Sequence, residues 1–261
     1  MTHAIIVEEA GGPEVMQWQE INLEAPGPGQ ALVRQTVVGL NFIDIYQRSG
    51  KYPVKFPSSI GMEAAGVVEA VGADVGNVKP GDRVAYVMGP PGSYAEARLY
   101  PASRLIALPD DITDQQAAAM MLKGLTASYL ITKTFPVKAG QTVLFHAAAG
   151  GVGLIICQWL NQLGATVIGT VGSDAKAAVA KAHGCHHTIN YSTEDFAARV
   201  MEITDGAGVP VVYDGVGAAT YEGSLASLAP FGVFASFGNA SGAAPAVPGT
   251  ALAARALYFT R

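Results

Sequence analysis

Residues 142–163 constrain the fold more than any other part of this 261-residue chain. A short apolar run at 142–146 leads into Ala147-Ala148-Ala149-Gly150-Gly151-Val152-Gly153, and 154–163 return to apolar residues at helical spacing. Strand, glycine-rich turn and helix open a βαβ unit. The turn fits A-x-G-x-x-G from Ala148 to Gly153, with alanine in the first glycine position. Gly150 lets a backbone approach a diphosphate, and Gly153 lets the helix pack closely on its strand. Around Gly151 and Val152 the helix start presents free N–H groups and the positive end of its dipole. A tight turn with no ligand would need the same glycines, so the surroundings must decide.

The surroundings favour a dinucleotide. Strand-like runs recur at 166–170, 187–190, 211–214, 233–236 and 257–260, with helical runs at 174–182, 193–203 and 218–228. With 142–146 that makes six alternating strands, the content of a doubly wound parallel (Rossmann) sheet. Upstream the rhythm differs. Short strands at 5–7, 31–38, 64–71, 83–87 and 94–99 are separated by Gly11-Gly12-Pro13, Pro26-Gly27-Pro28-Gly29 and Lys79-Pro80-Gly81-Asp82. Even spacing with Gly/Pro punctuation predicts a small barrel-like β domain. A helix is expected from Asp114 to about Lys133. The fold class is therefore α/β, with a β-rich N-terminal domain at 1–125 and a dinucleotide-binding domain at 126–261 that ends at the sixth strand.

Composition narrows the partners. Sixteen Lys and Arg against 21 Asp and Glu give a net charge of −5, and a mildly acidic chain lacks the basic face that nucleic acid requires. Two cysteines cannot build a disulfide framework or a four-cysteine zinc site. The apolar start at 4–7 meets Glu8 and Glu9 at once, so no secretory leader is expected, and 143–157 is too short and glycine-rich to be expected to span a bilayer. A cytoplasmic protein with no membrane partner is expected.

The end of the second Rossmann strand selects the nicotinamide. An NAD site places an acid there for the ribose 2′-OH. Here the chain reads Gly169-Thr170-Val171-Gly172-Ser173, followed by Lys176. Gly172, Ser173 and Lys176 suit a 2′-phosphate, which a carboxylate would repel. The alternative is that Asp174 serves as the acid and Lys176 is a solvated helix charge.

Five runs together carry a resemblance: Gly39-Leu40-Asn41-Phe42-Ile43-Asp44, Gly61-Met62-Glu63-Ala64-Ala65-Gly66-Val67-Val68, Lys79-Pro80-Gly81-Asp82-Arg83-Val84, Lys123-Gly124-Leu125-Thr126-Ala127 and His146 to Gly153. In this order they resemble the zinc-independent, zeta-crystallin-like quinone oxidoreductases of the medium-chain dehydrogenase/reductase superfamily. The resemblance implies a GroES-like N-terminal domain, a Rossmann domain, NADPH as donor, a quinone as acceptor and a homodimer. It places Asn41, Tyr46 and Tyr52 beside the nicotinamide. Asn41 would hydrogen-bond the ribose or the substrate carbonyl. The two tyrosines would stack on a flat ring or donate a phenolic hydrogen bond, and a narrow slot between them would favour flat rings. Lys123 and Thr126 would pack near the nicotinamide, Phe237 and Asn239 would meet its amide, and Tyr191 would help cover the adenosine phosphate end. The alternative readings are packed aromatics for Tyr46 and Tyr52, a snorkelling helix lysine for Lys123, a structural hydrogen-bonding group for Glu63 and a turn cap for Asp44.

Zinc-dependent relatives carry a cysteine in the segment matching 39–44 and a histidine where Met62 stands, so no metal is expected. The remaining candidate, His183-Gly184-Cys185-His186-His187, is expected to be a turn with exposed imidazoles. Full-length members continue past the sixth strand, whose edge pairs with the partner subunit, and return to complete the first domain. Ending at Arg261, this sequence is expected to be a C-terminally truncated member, with its dimerisation and turnover open. Reduction of enones or other activated double bonds remains an alternative activity. A non-catalytic NADPH-binding protein or inactive product is the alternative from another class.

Overall fold

The computed structural model describes residues 2–261 and divides into two compact units, Met1–Leu122 and Lys123–Arg261. The first unit contains β1 (Thr2–Val7), β2 (Met16–Ile21), β3 (Gln30–Gly39), α1 (Phe42–Arg48), β4 (Ser58–Ser59), β5 (Glu63–Val71), β6 (Arg83–Val87), β7 (Ala97–Pro101) and β8 (Ile106–Ala107). Five strands form an antiparallel sheet in the order β7-β3-β5-β6-β8, and three form a second in the order β2-β1-β4. The alternating side chains Ala31 and Val33, Ala64 and Val68, Val84 and Tyr86 bury together with Tyr100 and Leu105 as one core. Tyr86 and Tyr100 stack at 4.1 Å, and the Arg98 guanidinium lies over both rings.

The strand expected at 94–99 is displaced, with β7 starting at Ala97 and Ala95 making only an isolated bridge to Ala4. Four elements lack a readable period. Strand β2 is an edge with no buried residue, β4 and β8 have two residues each, and α1 has seven.

Helix α2 (Asp114–Tyr129) crosses from the first unit into the second. It continues as a widened turn through Thr134, closed by Phe135 N–H donating to Leu130 O at 3.1 Å. The second unit then alternates: β9 (Thr142–Phe145), α3 (Gly151–Leu163), β10 (Thr166–Val171), α4 (Asp174–Ala182), β11 (His187–Asn190), α5 (Phe196–Ile203), β12 (Val209–Asp214), α6 (Tyr221–Ala226), β13 (Leu228–Ser236), α7 (Gly249–Ala253) and β14 (Tyr258–Thr260). The sheet is parallel in the order β11-β10-β9-β12-β13-β14, so the direction of winding reverses between β9 and β12.

Both faces are covered, which is why these strands read as continuous apolar runs. Val143, Phe145, Val167, Val211 and Tyr213 pack with Ile156, Cys157 and Leu160 of α3. Leu144, Ile168, Val212 and Phe234 face Val200 of α5 and Tyr221 of α6. Two expected boundaries shift. The helix expected at 193–203 starts at Phe196, because Asp195 caps it by accepting from Ala197 and Ala198 N–H. The helix expected at 218–228 covers only Tyr221–Ala226, because Leu228 already pairs with Val209 as the start of β13. Among the described residues, no helix is long and apolar enough to cross a membrane.

Candidate functional site

The second unit builds its site at the carboxyl ends of β9, β10 and β12, where the winding reverses. After β9 the chain turns through His146 and Ala147, which takes a left-handed φ of 56°, and Gly150 N-caps α3. A Cβ at Gly153 would lie 2.5 and 2.6 Å from the carbonyl oxygens of Ala147 and Ala148. Only glycine lets the first turn of α3 sit this close to its loop. A Cβ at Gly151 would meet Cδ and Cε of Lys123 at 2.7 and 2.8 Å, so that lysine stem lies against the start of α3. Thr126 is one turn along the same helix and half-buried.

At the end of β10, Gly172 lies under the Tyr191 hydroxyl, which is 2.7 Å from where a Cβ would stand. Ser173 caps α4 by accepting from Lys176 N–H at 3.4 Å, and the Lys176 side chain is exposed. Asp174 accepts from Asn190 Nδ2 at 3.0 Å. Phe237 follows β13, its ring 5.7 Å from that of Phe145 and against Gly215, and Asn239 accepts from the Arg261 guanidinium at 3.0 Å.

Sequence reasoning missed a buried polar chain beneath these loops. His146 has no exposed surface. Its Nδ1 lies 2.9 Å from Thr170 Oγ1 and its Nε2 2.9 Å from Ser224 Oγ. Ser224 Oγ donates to Asp214 Oδ2 at 3.1 Å, and Thr220 Oγ1 donates to the same oxygen at 2.7 Å. Asp214 Oδ1 accepts from Val216 and Gly217 N–H at 2.7 and 2.9 Å. Burial pushes the His146 pKa below its ordinary value, and the Asp214 charge opposes this in part. The available signal was a histidine and an aspartate closing otherwise apolar strands.

In the first unit, Asn41 N-caps α1. Its N–H donates to Asp44 Oδ2 at 2.9 Å, and its side-chain Nδ2 donates to Glu63 Oε1 at 2.7 Å. Glu63 is fully buried and accepts from Leu122 N–H through Oε2 at 2.6 Å. The Tyr94 hydroxyl donates to Asp44 Oδ2 at 2.8 Å, and burial, then Asp44, push its pKa up. Glu63 is thus a structural hydrogen-bonding group and Asp44 a cap.

Tyr46 and Tyr52 do come together, but not around a slot. Their rings touch at 4.9 Å, tilted by 43°, whereas a ring sandwiched between them would need roughly 7 Å, twice an aromatic contact. Tyr46 is also buried and packs edge-on against Phe42.

The 183–187 segment assembles no ligand set. Cys185 is buried against backbone carbonyls, His183 bonds Val179 O, and His186 Nδ1 accepts from Val167 N–H. Among the described residues no group of three or more His, Cys, Asp or Glu is placed to hold a metal ion.

Residues 27–110 match the alcohol dehydrogenase GroES-like domain, and residues 151–260 match the zinc-binding dehydrogenase domain. A quinone oxidoreductase of Pseudomonas aeruginosa is 52% identical over 253 residues, which are 96% of this chain and 78% of that protein. The chain belongs to the quinone oxidoreductase family of medium-chain dehydrogenases/reductases. Its fold class is the expected one, a GroES-like β-rich domain followed by a Rossmann sheet. A 2-haloacrylate reductase of Burkholderia is 49% identical, over 94% of this chain and 75% of its own. The Escherichia coli quinone oxidoreductase solved in complex with NADPH superposes with a TM-score of 0.97 at 46% identity, covering 100% of this chain and 80% of that one.

Proposed function

We propose that this protein is an NADPH-dependent quinone oxidoreductase that works without a metal ion. The observation that carries this is the combination of relatives named quinone oxidoreductase at about half identity, one of them solved with NADPH and superposing at a TM-score of 0.97, with the strand–glycine loop–helix at 142–163. The loop fits the cofactor. Gly153 brings α3 against its loop, so the N–H groups of Gly151, Val152 and Gly153 face the diphosphate position, with Ala148 and Gly150 shaping the turn. Gly172, Ser173, Lys176 and Tyr191 would hold the adenosine 2′-phosphate. Lys123, Thr126, Phe237 and Asn239 would hold the nicotinamide end.

The chemistry that NADPH supplies when bound is hydride or electron donation to the quinone. Asn41, fixed by Glu63 and by its cap on α1, would present a hydrogen bond to ribose or to the substrate carbonyl. Tyr46 and Tyr52, packed on each other, would offer one aromatic wall rather than a slot. A quinone needs little electrophilic help. Independence from zinc is supported by Met62 in the histidine position and by the absence of cysteine from 39–44.

We read residues 1–125 as the substrate domain, 126–261 as the cofactor domain, and the protein as a cytoplasmic homodimer. The exposed edge strand β14, with Tyr258 outward, supports pairing between copies. The test is NADPH oxidation, followed by its near-UV absorbance, with a panel of quinones and an NADH control. Quinone-dependent oxidation of NADPH is expected, and no turnover with any quinone would overturn the reading. The 2-haloacrylate reductase relative favours one second reading, reduction of activated double bonds, which the same assay tests with enones and haloacrylates.

A further inference from the structure

We propose that His146 is the positioning residue of the dinucleotide site, a neutral imidazole whose two hydrogen bonds lock together the three strand ends that carry the cofactor. This rests on the NADPH reading above. The polarity of the chain follows from counting protons. The single proton of Ser224 Oγ goes to Asp214 Oδ2, so this oxygen must accept from His146 Nε2–H. Nδ1 is then the unprotonated nitrogen and accepts from Thr170 Oγ1–H. One direction runs throughout, from Thr170 to His146 to Ser224 to the Asp214 carboxylate.

Each link fixes a different part of the site. His146 immediately precedes the glycine loop, and Thr170 lies two residues before Gly172. Asp214 holds the loop after β12 through Val216 and Gly217 N–H. That loop in turn anchors the 239–242 segment, since Ser241 N–H and Oγ donate to Val216 O and Ala218 N–H donates to Gly242 O. A histidine touching none of the cofactor would thus set the spacing between its diphosphate, adenosine and nicotinamide contacts. Misplacement by about 1 Å in such a site is costly. The groups packed on the imidazole are Thr170 from β10, Ser224 from α6 and the Phe196 ring from α5, with Asp214 of β12 one hydroxyl beyond. Asp214 is the charged group that opposes the effect of burial on it.

The experiment measures the NADPH dissociation constant by cofactor fluorescence for wild type, Ser224→Ala, Ser224→Thr and Thr170→Val. It also records the ring-nitrogen signals of wild type labelled with 15N-histidine. Expected are a roughly tenfold weaker NADPH complex in Ser224→Ala and Thr170→Val, affinity restored to within twofold in Ser224→Thr, and a buried histidine in the neutral Nε2–H form at pH 7. Affinity within twofold of wild type in a folded Ser224→Ala, or failure of Ser224→Thr to restore it, would overturn the proposal. An Nδ1–H tautomer or an imidazolium would do the same, and this measurement decides even if the variants do not fold. Wild type that binds NADPH without reducing any quinone would sink the quinone reading alone. Wild type that binds no NADPH overturns both.

Discussion

At the scale of single residues, Gly153 and His146 show how little latitude the second unit allows. Replacing Gly153 with alanine puts a methyl group 2.5 Å from a backbone oxygen, so α3 must retreat from its loop. Such overpacking costs about 1–3 kcal/mol. Thermal melting of Gly153→Ala should show that loss together with NADPH affinity at least tenfold weaker. A lower melting point with unchanged affinity would place the cofactor elsewhere. His146 gives a pH prediction with a definite sign. Burial depresses its folded-state pKa, so below the unfolded value of about 6.5 the unfolded chain binds a proton that the native state refuses. Stability is therefore full above about pH 6.5 and falls as the pH drops through it, with a slope of at most about 1.4 kcal/mol per pH unit from this group. Urea melts between pH 7.5 and 5.5 should show that slope in wild type and a shallower one in His146→Asn.

At the scale of elements, α1 depends on its ends. Seven residues cannot sustain a helix by propensity, so the capping box of Asn41 and Asp44 holds it. Asp44→Ala removes the acceptor of both Asn41 N–H and the Tyr94 hydroxyl and should destabilise the first unit by about 2–3 kcal/mol in urea melts. A loss below 0.5 kcal/mol, on the order of a surface change, would mean the box is decorative. The same element marks the limit of what was legible. Strands and helices buried against a parallel sheet announce themselves, and His187–Asn190 and Asp174–Ala182 match the sequence pattern to the residue. Met16–Ile21 did not, because none of its six residues is buried and no face imposes alternation, and neither did Phe42–Arg48, which is shorter than two full helical periods. The glycine loop was legible because its residues are contiguous. The His146 chain was not, because its members sit at 146, 170, 214, 220 and 224 and become neighbours only when β9, β10, β12 and α6 are brought together.

At the scale of the whole molecule, two compact units share one chain, and the proposed cofactor contacts fall mostly on Lys123–Arg261. A ligand that binds only the native state stabilises whatever holds it by an amount set by its concentration over its dissociation constant. At 100 times that constant the gain is about 2.7 kcal/mol, which should raise the thermal transition of the second unit by several degrees. NADH presents no 2′-phosphate to Ser173 and Lys176. The carboxylate that could instead take its ribose hydroxyl, Asp174, is already engaged with Asn190. At equal concentration NADH should therefore shift that transition much less. If scanning calorimetry found equal shifts, the end of β10 would not discriminate the two cofactors, and Asp174 would have to leave Asn190 to serve as the ribose acceptor. Asn190→Ala would then favour NADH further, whereas under the NADPH reading it leaves the preference for NADPH intact.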